Sequence, residues 1–239
     1  MLEVCVDTIQ AARVAASAGA DRIELCSHLD VGGVTPPWPI VYDVRREIDL
    51  PLIVLIRSRA GGFVYSNDEC EQMLQQAKTA IKLGADGVAV GGLTHSLELH
   101  LEFLRSVSTA LPKSQIVMHR AFDFVPDPFV ALEHLVELSY TRILTSGGGE
   151  MAIDGTNTLC RLGEQAQGRI EILPAGGIAP SNALTILKES GARQLHGSFR
   201  IASSGKSQSS LPNLQAIKQT KAILNDSTLG GKRHPSPNV

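Results

Sequence analysis

Short aliphatic runs recur along the whole chain, separated by longer stretches in which apolar residues return every three to four positions. The runs fall at Leu2–Asp7, Arg22–Ser27, Leu52–Arg57, Gly87–Gly91, Gln115–Arg120, Arg142–Gly147, Glu171–Gly177 and Gln194–Ser198. Each run reads as a strand and each stretch after it as a helix. Eight strand–loop–helix–loop units in roughly 200 residues predict an α/β protein, a single TIM (β/α)8 barrel, a fold of about 250 residues in all. An open doubly wound sheet is the alternative.

Helix punctuation supports the count. Ser66-Asn67-Asp68-Glu69 reads as a capping box, and Asp127-Pro128 as an N-cap followed by proline in the first helical position. Thr35-Pro36 has the same form. Ala18-Gly19-Ala20-Asp21 and Leu83-Gly84-Ala85-Asp86 each close a helix and launch a strand, with Gly19 and Gly84 free to turn left-handed, and Ser190-Gly191-Ala192-Arg193 repeats the idea. The barrel core is expected over residues 1–201. Residues 202–239 read as a Ser-rich linker (Ser203–Ser210), a closing helix (Leu211–Asn225) and a polar, disordered tail (Asp226–Val239).

Strand parity then sorts the chemistry. Leu2, Val4 and Val6 share one face of the first strand and Glu3, Cys5 and Asp7 the other; the second strand sets Ile23 and Leu25 against Arg22, Glu24 and Cys26. The outer surface of a barrel packs on helices, so the aliphatic faces point outward and the polar ones inward. Glu-x-Cys therefore occurs twice inside, 21 residues apart. By the same reasoning Arg57 and His119 are inward at their strand ends, with Arg120 close by at the fifth strand's exit. Buried carboxylates need donors, so Glu3, Asp7 and Glu24 are expected to pair with Arg57 and His119 across the barrel mouth. Such a layer could be a mere satisfied ion-pair cluster. Its place at the C-terminal strand ends, where barrel enzymes hold their sites, favours chemistry.

The loops at that end are rich in glycine. Ser146-Gly147-Gly148-Gly149, Ala175-Gly176-Gly177 and His196-Gly197-Ser198 follow the last three strands. An anion subsite is expected at Ser146, Gly147, Gly176, Gly177 and Ser198.

Composition narrows the partners. The chain has 239 residues, 43% of them hydrophobic, and a net charge of −2. It carries neither a basic stripe for nucleic acid nor a polybasic membrane anchor. No apolar run approaches the roughly 20 residues that span a bilayer. Four cysteines without a C-x-x-C pair (Cys5, Cys26, Cys70, Cys160) argue for reduced thiols, and no export signal follows Met1, so a cytoplasmic location is expected. Cys5 and Cys26 on neighbouring strands could bring their sulfurs together. Paired thiolates suit Cu(I), although small buried residues of a packed core would read the same way.

Leu2-Glu3-Val4-Cys5-Val6-Asp7, Gly19-Ala20-Asp21-Arg22-Ile23-Glu24-Leu25-Cys26 and Met118-His119-Arg120-Ala121-Phe122-Asp123 together resemble the CutC family of copper homeostasis proteins. Ile56-Arg57-x-Arg59 with Gly61-Gly62, Leu144-Thr145-Ser146-Gly147 and Pro174-Ala175-Gly176-Gly177-Ile178 extend the resemblance to about Arg200. It implies a cytoplasmic TIM barrel, a homodimer or higher homo-oligomer, and copper homeostasis through Cu(I) held by Cys5 and Cys26. The chain departs from the family pattern at Ser58, where the family has proline, and at Phe199, where alanine is expected.

Copper carriage does not require Glu3, Glu24, Arg57, His119, Arg120 and Asp123 at a barrel mouth. That set reads as catalytic, with His119 or a carboxylate as acid/base and Arg57 and Arg120 holding an anion. Two functions therefore stand side by side: Cu(I) binding, or an enzyme acting on a small anionic metabolite, phosphorylated ones included.

Overall fold

The computed structural model describes residues 1–200 and 211–229. Its eight strands are β1 (Leu2–Val6), β2 (Arg22–Leu25), β3 (Leu52–Ile56), β4 (Gly87–Val90), β5 (Gln115–Met118), β6 (Arg142–Thr145), β7 (Glu171–Pro174) and β8 (Leu195–Gly197). Helices alternate with them: α1 (Ile9–Ser17), α2 (Trp38–Glu47), α3 (Asn67–Lys82), α4 (Leu101–Ala110), α5 (Pro128–Glu137), α6 (Thr156–Ala166), α7 (Pro180–Ser190) and α8 (Leu214–Leu229). The strands are parallel in the order β7-β6-β5-β4-β3-β2-β1-β8, and a bridge from Ala175 to His196 closes the ring. This is the TIM barrel that the periodicity predicts. Each strand stops short of its predicted end because Asp7, Arg57, His119 and Ser146 already belong to the loops of the mouth.

Two layers of apolar contact follow from parity. Leu2, Val4, Val6, Ile23 and Leu25 are fully or almost fully buried in the shell between strands and helices. Inside the barrel a separate cluster comprises Cys5, Cys26, Ile53, Leu55, Ala89, Val117, Leu144, Leu173 and Ala175. The repeated Gly-Ala-Asp phrase has one structural job. Gly19 (φ +95°) and Gly84 (φ +94°) take the left-handed turn. The following aspartate then ties down the start of the preceding strand: Asp21 accepts from the Leu2 N–H (2.6 Å), and Asp86 from the Leu52 N–H (2.8 Å).

The capping box forms as expected, with Ser66 Oγ accepting from the Glu69 N–H (3.2 Å) and Glu69 accepting from the Ser66 N–H (2.8 Å). Asp127 caps α5 through the Phe129 and Val130 N–H groups. Thr35 is a correction. Two successive prolines delay α2 to Trp38, and the Thr35 hydroxyl instead accepts from the Arg57 N–H (2.9 Å). The closing helix runs Leu214–Leu229, so Asp226–Leu229 is helical rather than part of a tail. The Ser-rich linker and the rest of the expected disordered tail lie outside the described residues. No helix among the described residues is long and apolar enough to cross a membrane.

Removing the α3 cap tests this account. Ser66→Ala is expected to lower stability by about 1 kcal/mol, read as a lower urea midpoint with an unchanged slope.

Candidate functional site

Parallel pairing sets β1 against β2 with Glu3 opposite Arg22 and Cys5 opposite Glu24. The two Glu-x-Cys copies are thus staggered by two residues rather than level. Glu3, 2% exposed, receives the guanidinium of Arg22 and, at 2.7 Å, Nδ1 of His196 on β8. Nε2 of the same imidazole lies 3.3 Å from Glu24 Oε2. The donors for the buried carboxylates are therefore Arg22 and His196, not Arg57 and His119. Asp7 pairs instead with Arg200, at 3.3 Å.

Electrostatics follow this arrangement. Burial alone would raise the Glu3 carboxyl, but the His196 hydrogen bond and the charge of Arg22 override it and hold it at about 2. Glu24 is pushed up by burial, which the nearby His196 only partly offsets. Burial opposes charge on His196 as well, yet Glu24, together with Cys5 and Glu3, pushes it well above the usual histidine value. The Cys5 thiol is raised by its hydrogen bond to Cys26 and by burial. Below this layer Arg22 also donates to Gln194 (2.9 Å), which in turn donates to Glu171 (2.7 Å).

The Cys5 and Cys26 sulfurs are 3.6 Å apart, and Cys26 also contacts the Val6 carbonyl at 3.6 Å. Above Cys5, Glu24 and His196 opens a cavity of about 370 Å³, whose wall includes Arg57, Phe63, His119, Arg120 and Phe199. Cys26 is fully buried and lies outside that lining, so only one of the two thiols faces the cavity.

Arg57 is a clamp. Its guanidinium donates to the Val31, Gly33 and Gly61 carbonyls (3.1, 2.9 and 2.6 Å) and lies over the Phe63 ring at 4.8 Å. Its Nε is buried without a partner. His119 accepts from the Ala121 N–H at Nδ1 (3.2 Å) and stacks at a tilt on Phe63, while its buried Nε2 also lacks a partner. An added Cβ at Gly91 would come within 2.7 Å of this ring, so glycine makes its room. Burial, and then the charge of Arg57, drive His119 down to about 3.

Arg120 donates to Asp123 (2.7 Å) and to Ser146 (3.1 Å), and Asp123 accepts from the Thr145 hydroxyl and the Ser146 N–H (2.9 Å). Asp123 therefore positions Arg120 over the cavity. Of the expected anion subsite, Gly176, Gly177 and Ser198 line the cavity. Ser146 and Gly147 do not: the Ser146 hydroxyl donates to the Gly149 carbonyl (2.6 Å), and the Gly147 N–H to Thr145 (2.9 Å). Their polar groups are consumed by the turn. Phe199 adopts φ +50°, a strained conformation for a bulky residue, with Gly197 beneath its ring.

Sequence reasoning overlooked Arg22 and His196 as site residues, although parity contained both. Arg22 shares the inward face with Glu24, and His196 on β8 has the parity of Gln194 and Ser198, which flank that strand.

The CutC family model matches residues 1–201. A human copper homeostasis protein cutC homolog is 42% identical over 200 residues, covering 84% of this chain and 73% of that protein. A CutC family protein of Histophilus somni is 40% identical, covering 82% of this chain and 80% of its own. The crystal structure of a CutC copper homeostasis protein from Streptococcus agalactiae superposes with a TM-score of 0.79 at 32% identity, covering 83% of this chain and 98% of that one.

His119 gives a pH test. Its folded value lies below the ordinary one of about 6.5, so the unfolded chain takes up a proton that the folded chain refuses. Stability contributed by the neutral ring is present above pH 6.5 and is lost as pH falls towards about 3. His119→Asn is expected to flatten this limb of a urea-denaturation pH series; an unchanged limb contradicts the assignment.

Proposed function

The chain belongs to the CutC family, and from that premise we propose that it serves copper homeostasis by binding Cu(I) between Cys5 and Cys26. The observation that carries this reading is the 3.6 Å approach of two free sulfurs on adjacent strands. Soft thiolates are the ligands Cu(I) prefers. Loading displaces both thiol protons, and Cys5 offers the route in because it borders the cavity. In this reading the protein works in a reducing cytoplasm, which keeps the pair as thiols, and assembles as a homodimer or larger homo-oligomer.

A second reading, an enzyme acting on a small anionic metabolite, is favoured by one further observation. Arg57 Nε and His119 Nε2 are buried without partners in residues that wall the cavity, beside Arg120. Unsatisfied buried donors are costly unless a ligand or water meets them.

An anaerobic titration against a chromogenic Cu(I) chelator tests the copper reading. One ion per chain is expected for the wild type and for Cys70→Ser, Cys160→Ser, with capture lost in Cys5→Ser, Cys26→Ser. Undiminished binding by the last protein contradicts it. For the enzyme reading, metabolite extracts treated with wild type and with a His119→Ala, Arg120→Ala protein are expected to differ in an anionic compound. Matching profiles count against it.

A further inference from the structure

We propose that Cys5 Sγ, Glu24 Oε and His196 Nε2 form a site for a borderline divalent ion such as Zn2+, with a coordination position open to the cavity. The site shares Cys5 with the thiol pair and so adjoins the copper reading, but Cys26 is not among its ligands.

Four observations carry it. The three ligand atoms lie within 4.8 Å of one another. All three residues border the cavity, whereas Cys26 sits behind them. Glu3 accepts from Nδ1 of His196 at 2.7 Å, which aims Nε2 at the site. A carboxylate behind a histidine is the arrangement that fixes the tautomer and orientation of a metal ligand. The donor set is mixed, with one sulfur, one nitrogen and one oxygen. Such a set suits Zn2+, while the two-sulfur pair suits Cu(I).

Coordination requires Cys5 as a thiolate and an unprotonated Nε2 on His196, and Glu24 exchanges its contact with His196 for one with the ion. Three protein ligands and one open position make the pattern of reactive rather than structural zinc sites. Water or an oxygen of a small anion would complete the shell, with Arg120 also lining the cavity.

Cobalt(II) is the probe, because its visible bands report coordination number and its near-ultraviolet charge-transfer band reports thiolate ligation. Tag-free full-length protein is titrated anaerobically as wild type, Cys26→Ser, Cys5→Ser, Glu24→Gln and His196→Gln, with near-ultraviolet circular dichroism to verify each fold. Wild type is expected to bind one cobalt with thiolate charge transfer and the visible bands of a low-coordinate ion. Cys26→Ser retains that spectrum even where Cu(I) capture is lost. Cys5→Ser loses the charge-transfer band, and Glu24→Gln and His196→Gln each bind at least about tenfold more weakly. If one of these last two does not fold, the other decides. Loss of the cobalt spectrum in Cys26→Ser overturns the proposal in favour of the thiol pair, as does wild-type affinity in the folded Glu24→Gln or His196→Gln protein. Failure of Cu(I) binding alongside an intact cobalt spectrum removes the copper reading and leaves this site standing.

Discussion

A carboxylate at the centre of a barrel has to be answered by charge, and Glu3 is answered twice. With 2% of its surface exposed, it would cost several kcal/mol if left alone. Arg22 comes from β2 and His196 from β8, the strands on either side of β1. The interaction that neutralises Glu3 therefore also ties both neighbours to β1, and His196 lies directly opposite Glu3 in the β1–β8 register. Ring closure and the orientation of one imidazole become the same event. Removing one partner leaves the others buried and uncompensated, so the group is expected to behave as a unit.

The rest of the mouth is built on that floor. Once Nδ1 of His196 is engaged by Glu3, Nε2 turns to Glu24 and towards Cys5. The stagger between β1 and β2 places Cys5 beside Glu24 and sets Cys26 one step above Cys5 rather than level with it. One thiol thus belongs to the cavity and one to the core. Above them, Arg57 spends its Nη donors on three loop carbonyls and lends its flat face to Phe63. Phe63 in turn supports His119, and Asp123 steadies Arg120. Rigid neighbours thereby hold two buried nitrogens with unmet hydrogen-bonding capacity in residues that wall the cavity.

Much of this was legible in the sequence because it depends on period. Alternation in β1 and β2 placed Glu3, Cys5, Glu24 and Cys26 inside, and the Gly-Ala-Asp phrases marked where helices give way to strands. Partner choice was not legible, because it depends on register. A shift of two residues between adjacent strands keeps every side chain on its face, yet it decides that Glu3 meets Arg22; Arg57 is taken by loop carbonyls that no strand pattern announces. Ser146 and Gly147 fall outside the cavity lining for a local reason, since the turn after β6 uses their polar groups. Thr35 failed as a cap because Pro36 and Pro37 displaced the helix start.

The central claim is that Glu3 and His196 are energetically one unit. A double-mutant cycle in urea, using Glu3→Gln, His196→Gln and the combined protein, measures their coupling directly. The account expects a coupling energy of about 1–3 kcal/mol, with the double variant destabilised by less than the sum of the singles. Additivity within about 0.5 kcal/mol would mean that each side chain is accommodated independently, and would contradict it.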